Sequence, residues 1–389
     1  MIAYHKGKKL KTVAIAFVCI FAVLSAIVIG FMVSAAEIYY INKAYNVRFQ
    51  REHLEYLKNT FYKDYTPKGE QAFCGFDLQD ALDRGVKYND VAFLATHNSC
   101  QRMNSEESVN YLKALDVFTF GIASAGIFDK KDFENDTLTQ QFEHGIRSVE
   151  LDVEAQVKGD EISFKVMHDL VVDSASTCLD LEGALEEIAL WSDHNPDHLP
   201  ITLLIESKIY VIPTDGLQIF GMRHAEQFDF LLRKCLGDKL LTPADMLGEF
   251  ETFKQLRDAD GWKSLNQMLG KVVVVLHESG FAKKYIKQDS TLRSQAMFPS
   301  VLFKDRDIEQ AAFIIENKPS KAFERADYYK NANFMVRTRA DKYPRFSEEQ
   351  YAQVNGCFSQ IITTDYGPRS LRLDQHTYSF GGYTVKLIG

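Results

Sequence analysis

The chain lacks a basic surplus, cysteines at metal-binding spacing and any marked serine or cysteine nucleophile, and each gap removes a class of function. Its 45 Lys and Arg stand against 53 Asp and Glu, for a formal charge of −8, and no long Lys/Arg run offsets the deficit. A nucleic-acid partner is thereby excluded, because phosphate backbones reward basic surfaces. The six cysteines (Cys19, Cys74, Cys100, Cys178, Cys235 and Cys357) contain no C-x-x-C pair, so zinc-finger chemistry is excluded as well. With Cys19 inside an apolar run, the remaining odd number implies no disulfide framework; one incidental bridge stays open. Internal repeats, low-complexity tracts and signs of a second domain are also missing.

What is present is ordinary globular composition, 46% apolar and 25% charged over 389 residues, enough for a large core. Residues 13 to 36, VAIAFVCIFAVLSAIVIGFMVSAA, carry no charge and follow Lys6, Lys8, Lys9 and Lys11, with His5 beside them. A run of that length crosses a bilayer core of about 30 Å, and the lysines before it stay in the cytoplasm. We expect a retained anchor with the rest of the chain outside the cytoplasm. The alternative is a secreted protein, cleaved as a signal peptide near the small residues Ser34 to Ala36. The expected divisions are a basic N-terminus (1 to 12), the anchor or signal (13 to 36), a spacer and cap (37 to 87), a catalytic barrel (88 to 370) and a C-terminal hairpin (371 to 389). The spacer has helical patterning near Phe49 to Tyr62 and Leu78 to Arg84, interrupted at Thr66-Pro67 and Gly69.

From Val91 onward, short apolar runs alternate with helical patterns. The expected strands are VAFLAT (91 to 96), RSVELDV (147 to 153), FKVMH (164 to 168), ITLLIE (201 to 206), KVVVVLH (271 to 277), SVLFK (300 to 304), FMVRTR (334 to 339) and IITTD (361 to 365). Helix-like segments lie at Leu179 to Asp193, Arg223 to Cys235, Asp260 to Leu269, Ile308 to Glu316 and Ser347 to Gly356. This alternation predicts an α/β fold, a (β/α)8 TIM-type barrel preceded by the transmembrane or signal segment, with its site where the strands end.

Those ends carry the chemistry. In GIRSVELDVEAQ, Glu150 and Asp152 are two residues apart, so on a strand they leave the backbone on one face and can hold one cation together. Asn98 and Glu206, at two other strand ends, complete an all-oxygen set suited to a hard cation. Calcium is expected, with magnesium the nearest competitor and zinc disfavoured. His97 and His168 form a titrating pair able to take and give protons near neutral pH. Lys208, Arg337, Arg339, Asp365 and Tyr366 stand at further strand ends as candidate substrate contacts. His194 and His198 read as a polar loop, since Pro196 interrupts them; His144 and His277 reach the rim only if strand boundaries shift. Cys100 reads as a small apolar side chain.

Taken together, LATHNSC, LTQQFEHGIRSVELDV, FKVMHD, LWSDHNPDHLPITLLIESK, VRTRAD and ITTDYG resemble the calcium-dependent phosphoinositide-specific phospholipase C family of bacterial type, over about Tyr88 to Gly367. The resemblance implies catalytic roles for His97 and His168, calcium ligation by Asn98, Glu150, Asp152 and Glu206, and phosphate or inositol contacts from Lys208 and Arg337. It implies a membrane phospholipid substrate and no protein partner. Departures are Cys100, where an aromatic is common, and a largely apolar insertion at residues 110 to 128, read as a helix packed on the barrel or a ridge dipping into the bilayer. The implied reaction is attack by the inositol 2-hydroxyl on phosphorus, releasing diacylglycerol and a cyclic phosphate. Two rivals are weighed against it. A glycerophosphodiester phosphodiesterase shares the E-x-D strand and a following H-D but would open with H-R-G where this chain has THNS. A non-catalytic, membrane-tethered lipid- or sugar-binding barrel would be favoured by a missing histidine or acid.

Overall fold

In the computed structural model, residues 2–119, 134–168, 174–207, 214–277, 280–342, 347–368 and 377–388 are described. Eight parallel strands close into a barrel: β1 (Val91–Thr96), β2 (Ser148–Lys158), β3 (Ile201–Ser207), β4 (Val272–Leu276), β5 (Phe298–Val301), β6 (Phe313–Ile315), β7 (Met335–Arg339) and β8 (Ile361–Thr364). Each pairs with the next, and β8 returns to β1 in the register Phe93↔Ile361 to Thr96↔Thr364. The strands are buried almost throughout because both faces are covered, as in parallel sheets generally.

Their two faces separate cleanly by parity. Phe93 and Ala95, Leu204, Val273 and Val275, Met335 and Ile361 share one apolar cluster. Their neighbours Leu94, Val149, Leu151, Leu203, Ile205, Val274 and Ile362 belong to another, which includes Leu185, Ile188 and Trp191 of the helix Leu181–His194. Continuing the first parity along the strands brings up His97 after Ala95, Glu206 after Leu204, and Arg337 and Arg339 after Met335. On β2 the positions between the helix-facing Val149, Leu151 and Val153 are Glu150 and Asp152. The acids and His97 thus extend the barrel's inner lining at its carboxyl-end mouth, where (β/α)8 enzymes place their chemistry.

Two expected elements are corrected. FKVMH is not a barrel strand: Glu161–Val166 pairs antiparallel with β2, from Lys158↔Glu161 to Val153↔Val166. Only Gly159 (φ 60°) and Asp160 separate the two arms, whereas a parallel crossover needs a dozen residues or more. Conversely, Ile308 to Glu316 is not a helix. Phe313–Ile315 forms β6, flanked by Ala311 and Ala312 in an all-buried run that periodicity alone cannot assign. Two opposite errors therefore left the count of eight intact. Two boundaries also shift: the fifth strand begins at Phe298, and the helix expected over Asp260 to Leu269 is confined to Leu265–Met268.

The N-terminal segment is one helix, α1 (Ile2–Asn59), running through the apolar stretch and onto the barrel. Val13, Phe17, Phe21, Leu24, Val28 and Val33 present exposed apolar side chains, whereas Tyr39, Asn42, Asn46, Gln50 and Leu57 are buried against the domain. At the barrel's amino end, Glu70 of the following cap accepts from the fully buried Arg147 (Nε to Oε2 3.0 Å). His198 is buried there too, on Ser192 and the Leu199 carbonyl, and His194 stacks on Tyr62; neither faces a metal-like set. In the tail, Val385–Leu387 adds antiparallel to β1, and Phe380 and Tyr383 bridge to each other.

Candidate active site

The oxygen cage forms because neighbouring strands deliver acids at matching heights. Asp152 and Glu206 are register partners across β2 and β3, and ligand oxygens of Glu150, Asp152 and Glu206 lie within 4.8 Å of one another. Like charges set so close repel by several kcal/mol at an effective dielectric near 20, so the arrangement calls for a cation.

Asn98 comes from the turn after β1, with φ 47°, a left-handed conformation that asparagine tolerates better than most residues. The turn is locked onto β2: Ser99 N donates to the Glu150 carbonyl (2.9 Å) and Glu150 N to Ser99 Oγ (2.8 Å). Asn135 Nδ2 donates to the carbonyls of His97 and Asn98 (3.1 and 2.8 Å). Asn98 Nδ2 donates to Gln101 (3.2 Å), while its Oδ1 is buried with no hydrogen-bond donor. A buried carbonyl oxygen without a donor beside three carboxylates fits a hard cation such as calcium.

A small cavity joins this cage to the second histidine; its walls are Asn98, Cys100, Gln101, Glu150, Asp152, Val166, Met167, His168 and Ala175. The wall is stapled. Cys100, expected to be a lone apolar side chain, is disulfide-bonded to Cys178 with Cα atoms 5.7 Å apart, and Thr177 N donates to the Cys100 carbonyl. His168 is half-buried.

His97 is held from behind. Its Nδ1 lies 2.8 Å from Asp365 Oδ1, its Nε2 lies 3.5 Å from Glu150 Oε1, and Arg339 meets Asp365 Oδ2 at 2.9 Å. Asp341 accepts from Asp365 N (2.6 Å), Thr364 and Tyr351. Burial first, and then the charge of Asp365, push the Asp341 carboxyl up to about 6.

The candidate substrate contacts divide. Arg337 is 2% exposed and spends its guanidinium on Glu150 Oε2 (2.6 Å), Thr363 and Asn317. Burial lowers its pKa and Glu150 draws it back up. It braces the cage at Glu150, because its inward parity places it in the packed lining. Arg339 and Asp365 back His97, and Tyr366 is buried at 1% exposure. Lys208 lies outside the described residues. His277 directly follows β4 and its N–H donates to the Ile205 carbonyl on the same rim. The supports Asn135, Asn317 and Gln141, whose Nε2 donates to the Ser99 carbonyl (2.8 Å), went unnoticed in sequence; only their proximity in space marks them.

The sequence model of a family described as phosphoinositide phospholipase C, Ca2+-dependent, matches residues 160–388, more than half of the chain. The chain belongs to this family. The matched stretch contains His168, Glu206, Arg337, Arg339 and Asp365; His97, Asn98, Glu150 and Asp152 precede it. Among solved structures, the chain is similar to a calcium-dependent phosphoinositol-specific phospholipase C from a Gram-negative Pseudomonas sp., described as an apo form and myoinositol complex. That likeness has 19% identity and a TM-score of 0.55, covering 78% of this chain and 96% of the other. A second crystal form of that enzyme matches at 19% identity and a TM-score of 0.52, over the same shares. At such identities the structures attest the shared barrel. No curated protein matches the chain in sequence. Family membership makes this chain a calcium-dependent, phosphoinositide-specific phospholipase C, a phosphodiesterase whose acidic cage suits the family's metal.

Proposed function

We propose that this phospholipase C cleaves phosphatidylinositol-type lipids to diacylglycerol and an inositol cyclic phosphate, through attack of the substrate's own 2-hydroxyl on phosphorus. What carries the reading is one convergence: His168 and the cage residues Asn98, Glu150 and Asp152 line a single cavity, with His97 at Glu150. Asn98, Glu150, Asp152 and Glu206 would hold calcium. Bound there, the ion supplies charge that acidifies the attacking hydroxyl and steadies the phosphoryl oxygens. His168 holds the proton delivered to the departing glycerol oxygen. Asp365 keeps His97 oriented through Nδ1, leaving Nε2 to face a phosphoryl oxygen.

The apolar run before Glu37 serves as a membrane anchor in this reading, with the barrel outside the cytoplasm and its lipid in a bilayer. The test is turnover of intact phosphatidylinositol beside glycerophosphoinositol. The first should be cleaved and the second spared, and His168→Ala should lower turnover by about 10² to 10⁴ while the fold is retained. Preference for glycerophosphoinositol, or an unchanged rate in the variant, would overturn the proposal.

A further inference from the structure

A membrane anchor joined through a flexible linker would let a catalytic domain tumble; this chain is built otherwise. Residues 37 to 59 contain neither glycine nor proline, and α1 continues without a break from the apolar stretch to Asn59. At 1.5 Å per residue, Asn42 lies only about 9 Å along the axis from Ala36.

The side chains that dock this stretch reach the same loops that carry the site. Asn42 Nδ2 donates to Ser174 Oγ (2.8 Å) and Asn104 Oδ1 (3.0 Å), and Asn46 Nδ2 to the Ser174 carbonyl (2.8 Å). Ser174 is six residues beyond His168, and Asn104 six beyond Asn98. Tyr39 donates to Asp215 (3.0 Å), which also binds Lys43, Lys158 and Gln156; Asp215 is nine residues beyond Glu206. The bonds of Asn42 and Asn46 to Ser174 are buried, with both asparagines at 0% exposure, and buried hydrogen bonds of this kind fix orientation because each mispairing leaves a polar group unsatisfied.

Further along, the ladder descends the barrel's flank. Gln50 exchanges two hydrogen bonds with the Asp180 backbone, His53 meets Glu187 at 2.9 Å, and past the helix end Tyr65 donates to Asn195 (2.8 Å) at the amino end of β3. At Gly183 an added Cβ would lie 2.5 Å from Gln50, so the helices are in close contact. The helix therefore runs antiparallel to the strands, and its apolar end projects from the side of the catalytic mouth. The helix Glu106–Thr119 begins at the same end, where Ser108 Oγ donates to Asn42 Oδ1 (2.8 Å); it takes in the start of the expected insertion at 110 to 128, of which residues 120 to 128 lie outside the described residues.

Resting on the membrane-anchored phospholipase reading, we propose that α1 is a rigid strut holding the catalytic mouth against the bilayer it is anchored in, so that the enzyme takes phosphoinositide from its own membrane and not from an apposed one. The full chain is reconstituted into phosphatidylcholine vesicles, and labelled phosphatidylinositol is placed either in those vesicles or in a second, protein-free population. Own-vesicle cleavage should exceed foreign-vesicle cleavage by about 10-fold or more, because geometry suppresses one encounter and raises effective concentration for the other. Nine Gly/Ser residues inserted between Ala36 and Glu37, a flexible span of roughly 17 Å, should lower that ratio several-fold, since the anchor still concentrates the enzyme on its own bilayer but the mouth is freed to meet the other. Equal rates for the parent chain, or a ratio the insertion leaves unchanged, would overturn the strut. Detergent-dispersed phosphatidylinositol separates the two claims, since loss of cleavage there sinks the phospholipase reading alone. Orientation is then read without activity: a fluorophore at Met103 should be quenched by headgroup-borne quencher and one at Arg84 should not, and the reverse pattern would also overturn the strut.

Discussion

Replacing Glu206 with Gln should raise the stability of the metal-free protein and erase its response to calcium. The three cage carboxylates have oxygens within 4.8 Å, which at an effective dielectric of 20 costs about 3 kcal/mol per unshielded pair. Glu150 also meets Arg337 at 2.6 Å, and Asp152 and Glu206 stand face to face across β2 and β3, where removing one charge relieves repulsion. Glu206 is partly exposed, so screening reduces the relief to about 1–2 kcal/mol. For the parent chain, free calcium at 100 times its dissociation constant adds about 2.7 kcal/mol. With an unfolding entropy of about 2.1 cal/mol/K per residue over roughly 300 barrel residues, that is a rise in Tm of about 4 °C. Differential scanning fluorimetry in EGTA and in excess calcium reads both effects. Glu206→Gln should melt higher than the parent in EGTA and shift by less than about 1 °C on adding calcium. A parent that ignores calcium, or a variant that responds like the parent, would refute the cage.

Two further outcomes probe the frame around the site. The Cys100–Cys178 bridge spans 78 residues, so replacing both cysteines with Ala should cost about 4 kcal/mol on the chain-entropy account, seen as a lower urea midpoint; an unchanged midpoint would remove the bridge from the stability of the mouth. Burial holds the pKa of His198 down at about 4, so the neutral ring contributes stability that is complete above pH 6.5 and drains away as pH falls through 4. Asp229 and Asp341, both raised to about 6, act in the opposite sense, being favourable below pH 3.8 and losing that contribution as pH rises through 6. The measurement is therefore a difference: relative to the parent, His198→Gln should gain about 3 kcal/mol between pH 7 and pH 4 in urea titrations, and a pH-independent difference would contradict the assignment.

Residues whose chemistry is local were legible in the sequence. E-x-D on a strand dictates a shared face wherever the strand lies, and THNS after an apolar run announced the turn that presents His97 and Asn98. Long-range consequences were not legible. The two-residue Gly159-Asp160 turn shows that Glu161–Val166 folds back, but only if strand β2 is allowed to run five residues past Val153. Phe313–Ile315 is too short and too uniformly buried for any period to show. The resemblance pointed to Arg337 as a phosphate or inositol contact, but its ion pair with Glu150 was not legible because the two are 187 residues apart. The pairing of Cys100 with Cys178 and the docking of Asn42 and Asn46 depend in the same way on which loops the closed barrel brings together.

The most direct test of the central claim is phosphorus NMR of the products from phosphatidylinositol. With calcium, the first-formed species should be the five-membered inositol 1,2-cyclic phosphate, with diacylglycerol in equal amount and no turnover in excess EGTA. An acyclic inositol phosphate as the first product, or cleavage that persists in EGTA, would contradict it.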